Sequence, residues 1–562
     1  MPARFARTLR RFVRGALFAC KNILHLDLRC AIFTTLHIDQ YFCYTAHDLT
    51  QNPRLYARHQ IFTFVKYLNQ LLRQGRAKLS FSTMGDFQAQ SDVFLNWFNS
   101  QPGATFDSRL KLTDLRDRGA GRGIIATSDI PAETDLFTIP RKSVISVENS
   151  DLSKKLPRIF TGLKNLDADG DDGMADGDDD EENLNMPDPW LDLIMVMVYE
   201  YLQGENSAWK TYFKVLPHTF DTLMFWSQSE LNELQASAVK DKVGKESADE
   251  MFKTKVLPVV KAHEDIFYAS GAQKLSDEQI VELAHRMGSI IMAYAFDLEN
   301  NEDEEDDEQE GWVQDLEGTQ AMGMVPMADM LNADAEFNAH LNHGEDSLTM
   351  TSLREIKAGE EVLNYYGPLP NCDLLRRYGY TSAKHSRYDV VEVPWDIIAS
   401  TIDKRYTGKK GVLDEEEMEE GFVLERDSGE PDDTGINSHP AKFVAFPEEL
   451  EEQVCQVIGP AMGIDVNRGP NKAQRKQLKL AYYEIMDAVI PARLAQYGTT
   501  IEQDEQLLKN PDLEGRHRMT VFVRLGEKKL LKEAKEFIPA QLEKYKPAQE
   551  EEEGRSAKRQ KR

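Results

Sequence analysis

A chain of 562 residues is long enough for two or three domains with sizeable cores, and a 41% hydrophobic share with six Trp marks it as globular rather than wholly disordered. The formal net charge of −28 excludes a general nucleic-acid binder, which needs clustered Lys and Arg against phosphates, and suits encounter with a basic protein. Five cysteines supply neither a disulfide framework nor a multi-zinc cluster, and no uninterrupted apolar run reaches the ~18–20 residues that a membrane span requires.

In chain order, residues 1–83 stand apart: 13 Lys/Arg against three acids (Asp27, Asp39, Asp48), with Cys20, Cys30 and Cys43 among them. Arg4, Arg7, Arg10, Arg11 and Arg14 among apolar neighbours fit a mitochondrial presequence. The abrupt change of text at Met84 equally fits an upstream extension that is not part of the folded protein. Residues 84–104 read as an amphipathic helix (Phe94, Trp97, Phe98) that stops at Pro102-Gly103. Short strands are expected at 123–127, 135–140 and 144–147, with turn residues between them. The acidic tract at 167–182 opens like a calcium loop, but Asp172 stands where that loop needs Gly, so it reads as a solvated insertion.

A helical insertion is expected over 188–298. Asp188 is its N-cap, Pro189 its first helical residue, and Gly204 closes the first helix. Residues 190–198 are apolar nearly all round, which predicts deep burial. A second acidic tract occupies 302–310, and 312–394 return to strands and turns. From 395 to 545 the pattern is helical, with Leu478, Tyr482, Ile485 and Val489 at helical spacing, as are Leu530, Leu531, Ala534, Phe537 and Ile538. A charged tail, 546–562, ends in Lys558-Arg559-Gln560-Lys561-Arg562, which reads as a solvated tail or, preferred here, a nuclear localisation signal, with the cytoplasm as the alternative location.

The chemistry-bearing segments are four. Gly119-Ala120-Gly121-Arg122-Gly123-Ile124 leads into a strand rather than a helix, so it is no dinucleotide fingerprint; taken alone it is a tight turn. Ala328-Asp329-Met330-Leu331-Asn332-Ala333-Asp334 reads alone as a helix-to-turn transition capped by Asn332. Asn364-Tyr365-Tyr366-Gly367 follows, with Tyr366 34 residues after Asn332, and Tyr378-Gly379-Tyr380 comes next. In this order the segments resemble the SET-domain lysine methyltransferases. The β–α–β–α partition is similar to the Rubisco large-subunit methyltransferase type, and within it to the fungal ribosomal-protein lysine methyltransferases and their animal relatives. The resemblance covers roughly 86–545 and implies an α+β fold: a β-rich SET domain over 84–394, split by the helical insertion, then an all-helical substrate-binding domain over 395–545.

That resemblance also implies roles. Tyr366 would orient the acceptor amine. Ala120, Gly121, Arg122, Tyr294, Asn332, Ala333, Tyr378 and Tyr380 would hold S-adenosyl-L-methionine (SAM), Tyr380 by an aromatic contact with adenine and Tyr378 also by shaping the pocket. Trp190, Ala295 and Arg376 would meet the substrate. The family usually has His after the Asn; here Ala333 replaces it, which questions any His-mediated orientation while leaving Asn332 in place. The chemistry demands such a site. Lysine has a reference pKa of ~10.4, so the amine must lose a proton before attack, and burial favours its neutral form. Alignment with the methyl group is then the main catalytic need.

Other candidates fail. His340 and His343 lie in a polar stretch without a convincing third ligand, so no metal is expected, and neither GxSxG nor a P-loop occurs. The expected activity is SAM-dependent methylation of a basic protein, best a 60S ribosomal protein, with no direct nucleic acid or membrane partner. The alternatives are a nuclear histone or non-histone substrate, or a catalytically silent SET-fold adaptor that binds basic peptides.

Overall fold

The computed structural model describes residues 84–163, 188–298, 321–406, 411 and 418–547. The basic segment 1–83, both acidic tracts and the terminal basic run lie outside them.

Helix α1 (Met84–Asn99) seals one end of the core with Phe94 and Phe98, both fully buried, and it ends before the turn at Pro102-Gly103. Next come β1 (Thr105–Phe106), β2 (Leu110–Asp114), β3 (Arg122–Ala126) and β4 (Asp135–Pro140). The expected strand at 144–147 is not one. Residues 141–143 form a 3-10 turn, and Ile145 makes only an isolated bridge to Met324. Val144 and Ile145 are buried in the core, so their apolar pattern served packing without a ladder.

The insertion begins with α2 (Pro189–Gln203), where the Asp188 carboxylate accepts from the Leu191 N–H at 3.0 Å. Leu193, Ile194, Met195, Val196, Met197 and Val198 are all buried, as a helix without a polar face must be. Short helical segments lead to α3 (Asp277–Tyr294), which starts in a Ser276/Gln279 capping box and ends as β5 (Ala295–Asp297) begins. The next strands are β6 (Met322–Met324), β7 (Asn332–Ala333), β8 (Ala339–His343), β9 (Ser347–Ser352) and β10 (Glu361–Asn364).

Among the described residues these strands form two four-stranded sheets, in the orders β1-β4-β9-β8 and β2-β3-β10-β7, plus the antiparallel pair β5-β6. In the second sheet β10 runs antiparallel to β3 and parallel to β7, with Leu363 opposite Asn332 and Asn364 opposite Ala333. This pairing lays the Arg122–Ile124 backbone, Asn332 and the approach to Tyr366 side by side.

The C-terminal part has its own core around Tyr482, Ile485, Val489, Leu530 and Leu531. It comprises α4 (Trp395–Arg405), α5 (Glu448–Ile458), α6 (Lys472–Leu494), α7 (Ile501–Leu508) and α8 (Gly515–Tyr545). It is mostly helical but not wholly so. Strand β12 (Gly421–Leu424) returns to pair with β11 (Val391–Pro394), because Phe422 and Leu424 alternate with Gly421 and Val423 and bury one face on this core. Glycine is required where α8 passes the first part of the chain: a Cβ on Gly526 would lie 2.1 Å from Asp389 Oδ2.

Candidate active site

Three aromatic rings and two carbonyls define the site. The Tyr366 hydroxyl donates to the Leu331 carbonyl at 3.1 Å, and its ring stacks on Tyr378 with centroids 4.6 Å apart and planes 12° apart. Tyr378 meets Tyr380 edge-on at 6.3 Å, and the Tyr380 hydroxyl donates to the Ala333 carbonyl at 3.4 Å. Residues separated by almost fifty positions in sequence therefore form one wall. All three rings keep partial solvent access.

Asn332 is fixed from two sides. Its Nδ2 donates to the Arg122 carbonyl at 3.1 Å and to Glu361 Oε1 at 2.6 Å. Gly123 is needed there for space: a Cβ would sit 2.4 Å from Leu115 Cδ1, 2.7 Å from Glu361 Oε1 and 3.0 Å from Asn332 Nδ2. Gly121, by contrast, has open space where its Cβ would be. Arg122 enters the site through its backbone. Its guanidinium instead bonds Ser91 Oγ and the Val215 carbonyl, both at 2.8 Å, and stacks over Phe87. Burial lowers that guanidinium from its usual range to about 10.

Beneath the tyrosines lies a carboxyl that the motif reading did not single out. Asp329 is buried, accepts from the Tyr212 hydroxyl, and also accepts from the Met327 N–H at 3.1 Å. Met327 has φ +88°, a conformation that costs a non-glycine residue roughly 1–3 kcal/mol. The Asp329 bond holds that turn and so sets the position of Leu331. Desolvation lifts the Asp329 carboxyl to about 7.

Burial likewise raises the phenols of Tyr366, Tyr378 and Tyr380, and neighbouring negative potential, including that of Asp329 at Tyr366, adds to it. Tyr294, at the end of α3, is raised to about 12 by burial and by Asp329. These hydroxyls are neutral near pH 7. Asn364, opposite Ala333 on β10, is 1% exposed, and neither its Oδ1 nor its Nδ2 has a hydrogen-bond partner among the described residues.

The other residues implied at the sequence level fall elsewhere. Ala295 directly follows Tyr294 and pairs with Met324. Trp190 packs over Gly288 of α3 and stacks on Phe252 at 6.0 Å. Arg376 pairs with Asp373 at 3.0 Å. Among the described residues, no hydrogen bond or ring contact joins Trp190 or Arg376 to the tyrosines. Asp329 and Asn364 stood within the quoted motifs, whereas Tyr212 carried no sequence signal, because its partner lies 117 residues away.

The arrangement suits a cationic group. Carbonyl oxygens of residues 331 and 333, neutral tyrosine oxygens and a nearby carboxyl offer acceptors and negative potential, which fits both a sulfonium and an ammonium. The unpartnered Asn364 amide and the open backbone at Gly121 leave polar groups and space for the rest of such a ligand.

Comparison with known proteins agrees with this geometry. The SET domain family matches residues 121–367, and the Rubisco LSMT substrate-binding family matches 476–531. Ribosomal lysine N-methyltransferase 4 of Saccharomyces cerevisiae is 32% identical over 340 residues, covering 59% of this chain and 63% of that protein. N-lysine methyltransferase setd6 of Danio rerio is 26% identical over 439 residues, covering 73% and 87%. Among solved structures, the SET domain of LSMT bound to lysine and AdoHcy shares the fold with a TM-score of 0.53 at 19% identity, over 82% of this chain and 92% of that one. Rubisco LSMT bound to AdoMet gives 0.52 at 18% identity, over 81% and 93%. The chain therefore carries a SET domain followed by a Rubisco LSMT substrate-binding domain, with Tyr366 at the end of the first match and Tyr378 and Tyr380 just beyond it.

Proposed function

We propose that this chain transfers a methyl group from SAM to the ε-amine of a lysine in a protein, with a 60S ribosomal protein as the acceptor. The observation that carries the reading is the Tyr366 hydroxyl bonded to the carbonyl beside Asn332, with Tyr378 stacked behind it. The yeast relative's name supports the ribosomal acceptor, and the acidic balance of this chain suits a basic one.

SAM, when bound, supplies an electrophilic methyl on a sulfonium whose thioether is a good leaving group. Asn332, Ala333 and the backbone of residues 120–122 would hold it, with Tyr294, Tyr378 and Tyr380 around it. Tyr366 is too weak an acid to ionise here and, as a neutral phenol, is no base. It acts by position: its oxygen accepts from the amine and aims the lone pair at the methyl carbon, while the Leu331 carbonyl orients the hydroxyl. The proton that the ammonium loses before attack therefore goes to solvent rather than to Tyr366. Trp190, Ala295 and Arg376 are kept as substrate contacts under the same reading, and the nucleus as its location.

The test is incubation of the full chain with labelled SAM and large-subunit ribosomal proteins from cells lacking it, followed by mass spectrometry. A single methylated lysine is expected. SAM binding by calorimetry without transfer to any protein would favour an adaptor instead.

A further inference from the structure

β12 and the segment that follows it form half of a ladder that comes apart. The β11–β12 register and the bond from the Trp395 N–H to the Glu420 carbonyl place residues 420, 422 and 424 as those bonded to β11. Residues 421, 423, 425 and 427 therefore direct their N–H and C=O groups to the other side. Asp427 uses both of its groups there, exchanging bonds with Lys442 at 3.0 and 3.2 Å. Continued in register, residue 425 would face 444, and 423 would face 446. Neither bond forms: residues 443–447 swing away, and among the described residues the N–H and C=O of Val423 and Glu425 have no partner.

The gap is a groove of about 560 Å³. Val423, Phe422, Val444, Ala445 and Phe446 give it an apolar floor, and Val423 and Val444 are 44% and 43% exposed. Glu419, Glu425, Asp427 and Glu449 stand around it. Among its described lining residues the one cation, Arg426, is taken up by a bidentate pair with Glu533, and Asp427 faces His439 at 3.2 Å. Among the described residues no cation meets Glu419, Glu425 or Glu449. At ~3.3 Å per residue, the open run from 421 to 425 spans ~13 Å, room for a short added strand.

We propose that this groove docks an extended segment rich in Lys and Arg, belonging to the protein substrate, which adds to β12 as a third strand. The open backbone groups supply main-chain hydrogen bonds, the apolar floor takes alternate side chains, and the acidic rim selects their charge. The same rim repels a second copy of this acidic chain. This rests on the reading of the chain as acting on a basic protein, and gives that protein a second foothold away from the tyrosines.

The test uses the full chain and a fluorescein-labelled decapeptide alternating Lys and Val, followed by anisotropy. Glu425→Lys/Glu449→Lys, both exposed positions, is expected to weaken binding by ~10-fold or more. Val423→Pro, which removes one outward N–H on an edge strand, is expected to weaken it several-fold at constant charge. With ribosomal proteins as acceptor, the double variant should raise KM and keep kcat, with SAM affinity unchanged. Equal peptide affinity in wild type and both variants overturns the groove, even if Tyr366-dependent methylation stands. Peptide binding lost in the variants of a chain that methylates nothing would uphold the groove and overturn the function. Two further outcomes also overturn it: a dimer that the double variant dissociates, which assigns the edge to a second copy, or tighter peptide binding after Lys558→Glu/Arg559→Glu/Lys561→Glu/Arg562→Glu, which assigns it to the chain's own tail.

Discussion

Under the proposed function Tyr366 is the residue on which transfer turns, by the position its surroundings give it. Its hydroxyl is bonded at 3.1 Å and its ring is stacked, so Tyr366→Phe removes one oxygen from a position that packing still fixes. Thermal stability should be nearly unchanged while kcat falls by about a hundredfold, since misplacement of reacting atoms costs that much. Measured transfer at the wild-type rate would remove Tyr366 from its role. Asn332→Ala should act differently. It strips the amide bonded to Arg122 and Glu361, leaves the Glu361 carboxylate short of a donor, and is expected to weaken SAM binding ~10- to 100-fold by calorimetry. Motif order singles out these two positions in the sequence, and the structure brings them together, the Tyr366 hydroxyl bonding the carbonyl next to Asn332. Asp329 was printed inside a motif yet its task was not, since that depends on Tyr212 and on the positive φ at Met327. Neither is visible without the third dimension.

At the scale of elements, the pairing of β3, β10 and β7 is what converts distant motifs into a site. Gly123 is its tightest point. Gly123→Ala should leave β3 paired but force Leu115, Glu361 or Asn332 to move, and a loss of SAM affinity with the far-ultraviolet spectrum unchanged is the expected result. Strand 135–140 and helix α2 were readable from alternation and from the Asp188-Pro189 cap, which are local signals. Residues 144–147 and 421–424 were misread for one reason. Both are short apolar runs whose state is decided by partners, Met324 in one case and β11 in the other, and a run of four carries too little periodicity to reveal them.

The whole molecule carries several carboxyls that burial has made reluctant to ionise: Asp192, Asp329 and Glu527 are lifted to about 7 and Asp389 to about 6. Folded-state values above the ordinary range mean that the native chain holds more protons than the unfolded one between about pH 4 and 7. Stability from these groups is therefore fully present at the acid end and lost as pH rises through 6 and 7. Melting temperature should fall from pH 6 to pH 8 in thermal scans, and Asp329→Asn should flatten part of that slope; a rise across the interval would contradict the assignment. Added salt should raise stability at pH 8 by screening the net charge of −28.

Under the proposed function, a phenol that stays neutral at position 366 offers the acceptor nitrogen no base, and Asp329 is engaged by the Tyr212 hydroxyl and the Met327 N–H. Turnover should then climb tenfold per pH step below the acceptor's own acidity constant, so the pH–rate curve reports the target rather than the catalyst. Lysines already acidified by neighbouring cations would be modified fastest, and a cluster of positive charge around the target becomes a kinetic advantage as well as a means of attraction.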